Sequence, residues 1–252
     1  MKTVFAIACT SLLIGCMDPA EDADDLGLGE TEQHTICGAT DDSQFVNDYN
    51  GTLGPTTTFV QTHKKNKAAL ASSATSTSSG KYCSGSLIAT DLFLTAGHCV
   101  DSTTIGDYVS LNYERAAGST TLLTQSHYQV TAIVEDDVGG VDYAIVRVSG
   151  SPGATWGVSA VAAGDPATGA AITIIGHPNA AAKKIEAGTV ASYSGNYMRY
   201  GNVDTLGGSS GSGVLDSSGQ IVGVHTNGGC TATGGTNSGI RISRIRAVSS
   251  VL

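Results

Sequence analysis

The stretch Asp204-Thr205-Leu206-Gly207-Gly208-Ser209-Ser210-Gly211-Ser212-Gly213-Val214 sets glycines on both sides of Ser209 and Ser210. Glycine reaches backbone conformations that cost other residues free energy. Such density predicts a tight turn that holds one hydroxyl outward beside unpaired backbone N–H groups. A serine that attacks an acyl group needs an exposed Oγ, donors for the developing oxyanion and a nearby base. A Gly/Ser run taken alone reads more often as a flexible loop. Two other segments shift that reading: Thr95-Ala96-Gly97-His98-Cys99, and Asp142-Tyr143-Ala144-Ile145-Val146 between it and the serines.

In the order His, Asp, Ser, these segments resemble the trypsin/chymotrypsin-like serine proteases from about Cys37 to the C-terminus. Serine rather than aspartate at position 209 is closer to the bacterial branches, the lysyl endopeptidases and the V8-like glutamyl endopeptidases. The resemblance implies an all-β chain of two six-stranded antiparallel β-barrels, about 37–150 and 151–252. It further implies Ser210 as nucleophile, His98 as general base, Asp142 as the acid that orients the imidazole, and the N–H groups of Gly208 and Ser210 as the oxyanion hole. Ser209 and Ser212 are rival nucleophiles without the required placement. Trypsin-like zymogens pair the aspartate before the nucleophile with a newly cut amine. With Ser209 there, activation by N-terminal insertion is not expected.

Substrate is expected along Thr226-Asn227-Gly228-Gly229 as an added β-strand, with Thr226 and Gly228 in contact. The pocket residues point two ways. Asp204 stands where trypsin holds the carboxylate for Lys or Arg, whereas Thr205 and His225 match positions that bind glutamate in V8-like enzymes. The expectation leans to a basic side chain, because no Lys or Arg lies close in sequence to neutralise Asp204; glutamate stays open. The alternative reading is a non-catalytic peptide- or protein-binding member of the same fold, against which the intact His98, Asp142, Ser210 and Gly208 count.

Composition agrees with a β-rich, loop-rich chain: 33 glycines and only 14% charged residues in 252. The formal net charge of −9 argues against a nucleic-acid or anionic-membrane binder. No cofactor is implied, and no His/Cys spacing suggests a metal site. The partners expected are polypeptide substrates, and a monomer is expected.

Residues Met1 to Gly15 carry one early lysine and the apolar run Val4 to Ile14, which reads as a secretory signal too short to span a bilayer. Leu13-Ile14-Gly15-Cys16 resembles a lipobox, making Cys16 the candidate lipidation site and the membrane contact. Residues 17–36 form an acidic tether or propeptide without apolar periodicity. An exported, secreted or membrane-anchored bacterial protein is expected. Four cysteines remain beyond the signal, and four allow three pairings. The resemblance selects Cys83–Cys99, which pins the histidine loop, and Cys37–Cys230, which ties the N-terminus to the second barrel.

Strands are predicted at Ser86–Ala89, Leu92–Ala96, Val141–Val148, Ala171–Gly176, Gly188–Tyr193, Gly213–Leu215 and Ile221–Thr226. Asp142, entering a buried strand, needs a partner, and the His98 N–H is one. Asp136 and Asp137 read as surface acids and Asp107 as a weaker rival. His34, His63, His127 and His177 carry no catalytic expectation. Ile245, Val248 and Leu252 at helical spacing predict a short terminal helix capped by Ser243.

Overall fold

A computed structural model describes residues 35–252. The expected signal, Cys16 and most of the acidic stretch lie outside the described residues. In chain order the elements begin with β1 (Gln44–Phe45), α1 (Thr57–His63), β2 (Lys67–Ala71), β3 (Lys81–Leu87) and β4 (Leu92–Thr95). Then come β5 (Tyr108–Leu111), β6 (Ser126–Asp136), β7 (Ala144–Val148), α2 (Pro152–Trp156), β8 (Ala171–Gly176) and β9 (Lys184–Ser194). The chain finishes with β10 (Tyr197–Gly201), β11 (Gly213–Leu215), β12 (Ile221–Asn227), β13 (Cys230–Thr231), β14 (Gly234–Gly235), β15 (Asn237–Arg241) and α3 (Ile242–Val248).

Two antiparallel barrels result. The first closes in the order β2-β3-β4-β7-β6-β5. The second runs β9-β10-β15-β12-β11-β8 and closes through the β8–β9 pairing, with β1 added outside β9. Closure removes the unpaired edges that an open sheet would expose. Strand β10 shows why such segments pair: Met198 and Tyr200 point inward and are fully buried, while Tyr197 and Arg199 alternate outward. In β2 all five residues of Lys-Ala-Ala-Leu-Ala are buried, so the strand carries no alternation.

The N-terminal stretch packs on the second barrel, through β1 on β9 and through Cys37–Cys230. Cys83–Cys99 is the other disulfide. Helix α3 ends the chain with Ile242 and Ile245 buried. Its N-cap is Arg241 rather than Ser243. Ser243 instead donates its N–H and hydroxyl to the Asp165 carboxylate, at 2.9 and 2.6 Å. An acid from a neighbouring loop thus satisfies the helix start, and a local capping signal could not show it.

Candidate active site

His98 lies in a single 3-10 turn, Gly97–Cys99, immediately after β4. The turn is held from one side by Cys83–Cys99. A Cβ at Gly97 would fall 1.8 Å from Asp137 Oδ1, so any other residue there would displace the Asp137 side chain. Asp142 sits just before β7, which starts at Ala144 rather than Val141. The Asp142 carboxylate faces His98 twice: Oδ2 is 2.9 Å from Nδ1, and Oδ1 accepts the His98 backbone N–H at 2.9 Å. The bond to Asp142 raises the His98 pKa above 6.5 against the opposing effect of burial. Burial pushes the Asp142 carboxyl up, but the His98 ring and backbone bonds together hold it below its usual value. Asp107 is engaged elsewhere, accepting the Tyr82 hydroxyl at 2.7 Å.

The serine turn is pressed against the same corner of the first barrel. Ser84 donates its N–H to Ser210 O at 2.8 Å and its hydroxyl to Gly208 O at 2.7 Å. A Cβ at Gly211 would lie 2.1 Å from Ser84 O and 2.2 Å from Thr95 Oγ1, so only glycine lets the turn approach the strand that leads to His98. Gly208 has φ +88°, and a Cβ there would meet His177 O at 2.8 Å. Among the described residues the N–H groups of Gly208 and Ser210 have no acceptor, whereas those of Ser209, Gly211 and Ser212 bond to Leu206, His225 and Ser209 carbonyls. Ser209 is buried and its Oγ accepts the Leu206 N–H at 3.2 Å, which closes the turn. Ser212 is fully buried, while Ser210 remains partly accessible.

The expected pocket residues part company. Asp204 does not present a bare carboxylate to a bound side chain; it accepts the N–H groups of Cys37 at 2.7 Å and Asp42 at 3.0 Å. Sequence position relative to the serine could not reveal these amides, which come from the N-terminal stretch. Thr205 is buried and accepts from Asn237 Nδ2 at 3.0 Å. His225 is buried, with Nδ1 2.5 Å from the Tyr200 hydroxyl. Burial and then the nearby His98 charge lower its pKa to about 3, despite help from the Ser238 backbone, so it is neutral. Thr226 is buried near the end of β12; β11 pairs with β12 only as far as Gly213–Val224, so among the described residues 226–228 have no strand partner on that side.

Three residues that sequence reasoning passed over help to build this corner. Ser84 joins the barrels at the turn, and only its adjacency to Cys83 hints at it. Tyr200 orients His225. Asn237 lies within hydrogen-bond distance of Thr35 O, Val203 O and Thr205 Oγ1 through Nδ2, and accepts from Gly229 and Cys230 through Oδ1. His177 is structural in its surroundings: it is fully buried and stacks on Tyr113 with centroids 5.4 Å apart. Burial and then the Lys183 charge lower its pKa to about 3.

A family model described as a trypsin-like peptidase domain matches residues 83–224. The chain belongs to the trypsin-like peptidase family. A solved structure of a Glu endopeptidase in complex with MPD is similar, with a TM-score of 0.59 and 25% identity over 82% of this chain and 94% of that one. No curated protein matches. The trypsin-like chain is a serine endopeptidase, and polypeptides are its substrates.

Proposed function

We propose that this trypsin-like chain is an exported endopeptidase that cleaves after glutamate by acyl transfer through Ser210, His98 and Asp142. The observation that carries the mechanism is the conjunction of the His98–Asp142 pair with a serine turn whose Gly208 and Ser210 N–H groups are unpartnered. Ser210 Oγ attacks the scissile carbonyl, and His98 Nε2 takes its proton. Asp142 keeps the His98 proton on Nδ1 and stabilises the imidazolium. The carbonyl oxygen, now an oxyanion, accepts from Gly208 and Ser210 N–H. His98 then protonates the leaving amine, and water repeats the sequence to release the acyl group.

The preference for glutamate rests on His225 and Thr205. The fully buried Tyr200 hydroxyl has one proton to place, and donating it to Nδ1 keeps the His225 proton on Nε2. A neutral Nε2–H donor and the Thr205 hydroxyl suit a carboxylate without bringing a second charge into a buried pocket. Asp204, turned to Cys37 and Asp42, is not free to pair with Lys or Arg. Likeness to a Glu endopeptidase supports the same preference. Export is supported by the leader-like N-terminus and by two disulfides, which persist in oxidising compartments.

Profiling a peptide library with wild type, Asp204→Asn and His225→Ala tests the preference. Cleavage after Glu should dominate, survive Asp204→Asn and fall at least about 100-fold in His225→Ala, since a lost buried partner to a charge costs several kcal/mol. Cleavage after Lys or Arg that disappears in Asp204→Asn would restore the basic reading.

A further inference from the structure

Behind the Ser209 side of the serine turn lies a group of carboxylates that the catalytic account does not use. Asp41 comes from the stretch between Cys37 and β1, Glu186 from β9, and Asp204 from the segment entering the turn. One carboxylate oxygen from each lies within 4.8 Å of the others. Glu186 is 4% exposed, and among the described residues neither of its oxygens accepts a hydrogen bond. Buried polar groups are nearly always partnered, and a carboxyl with neither oxygen bonded is the exception that asks for an explanation. The two orphaned oxygens therefore point to a ligand.

We propose that Asp41, Glu186 and Asp204 form a binding site for a calcium ion. Oxygens no more than 4.8 Å apart can share one ion at calcium–oxygen distances of about 2.3–2.6 Å. Asp204 already accepts two backbone N–H groups, but each carboxylate oxygen keeps a further lone pair for a cation. A cavity of about 10 Å³, room for one water-sized particle, lies against Glu186 and Asp204 with Ser43, Lys184 and Ser209 beside it; Asp41 is outside its lining. The neighbouring ammonium does not do the ion's work. Lys184 Nζ is bonded to Ser43 Oγ at 2.7 Å and reaches Asp41 at 3.4 Å, and it makes no bond to Glu186. An all-oxygen donor set selects hard cations over zinc or copper. Three protein carboxylates on one ion suit calcium better than magnesium, which usually keeps several waters and takes only one or two carboxylates. Positions 41, 186 and 204 are far apart in the chain, so no spacing motif announces the site.

Such an ion joins three segments: the N-terminal stretch, β9 and the loop that carries Gly208 and Ser210. Calcium would thereby tighten the wall beside the substrate pocket without touching the reacting atoms. The proposal stands apart from the preference for glutamate, because its readout is binding and not cleavage.

The test uses chelator-treated protein carrying Ser210→Ala, so that self-cleavage cannot imitate destabilisation. Calorimetry with CaCl2 should show one ion per chain, and the unfolding temperature should rise saturably by several degrees, with MgCl2 and ionic-strength-matched NaCl doing less. Glu186→Gln and Asp41→Asn should each weaken calcium binding at least tenfold. Asp41 is exposed, so its variant reports even if Glu186→Gln fails to fold. Absence of calorimetric binding, a rise equalled by NaCl, or calcium binding unchanged in Asp41→Asn would overturn the proposal. So would a Glu186→Gln protein that is more stable than its parent while the parent ignores calcium.

Discussion

His98 and Asp142 hold each other in opposite protonation preferences, and in the proposed mechanism that exchange sets the pH behaviour of the reaction. The base is competent only when neutral. Its pKa lies above 6.5 because the Asp142 bond favours the charged ring, so kcat/KM should rise with pH through a value above 6.5 and fall away on the acid side. Asp142→Asn removes the negative charge that favours the imidazolium while burial remains, so the acid limb should move to lower pH. The rate should fall by about 10⁴-fold near neutrality. A pH–rate profile checks both; an unmoved limb with a loss under tenfold would assign the orienting role to another group. The pairing of His98 with Asp142 was legible in the sequence because each sits in a compact local pattern. Asp204 was not, since the amides of Cys37 and Asp42 that claim it come from far away in the chain. The neutrality of His225 was hidden likewise, in the burial conferred by β10 and β15.

Elements whose sequence alternates or forms short apolar runs, such as β8 and β11, were readable. Those buried on both faces, or buried through charge pairs, were not. Strand β2 lacks alternation, and β9 begins at Lys184, earlier than its apolar run suggests, directly after a fully buried lysine. That lysine explains itself in three dimensions. Lys183 Nζ bonds to Glu114 Oε1 at 2.9 Å and to Lys64 O at 2.8 Å, while Lys64 Nζ bonds to Glu114 Oε2 at 2.6 Å. Glu114 follows β5 of the first barrel and Lys183 leads into β9 of the second, so the triad rivets the barrels together. Burial pushes the Glu114 carboxyl up, but the two lysines bring it down to about 2 from 4.5. Its stabilising contribution is therefore present above pH 4.5 and is lost as pH falls towards 2. Glu114→Gln leaves buried ammonium groups uncompensated and should lower stability by roughly 3–5 kcal/mol in urea unfolding at neutral pH. A loss under about 1 kcal/mol would show the triad to be dispensable.

On the scale of the molecule, two closed barrels meet where Ser84 clasps the serine turn, and disulfides brace both ends of that arrangement. The 193-residue span of Cys37–Cys230 would contribute about 5 kcal/mol in the chain-entropy account. Such bridges persist in oxidising compartments and so support the proposed export. In a bacterial host, non-reduced protein recovered outside the cytoplasm should carry both bridges, and Cys16 should incorporate labelled palmitate. A soluble product without label would remove the anchor, and a functional cytoplasmic form with free thiols would remove export. Above all stands the claim that Ser210, activated by His98, is the nucleophile. Treating the native chain with a fluorophosphonate and mapping the adduct by mass spectrometry tests it most directly. One adduct is expected, on Ser210, absent in Ser210→Ala and strongly slowed in His98→Ala, with Ser209→Ala and Ser212→Ala still labelled. An unlabelled native chain, or an adduct on Ser209 or Ser212, would contradict it.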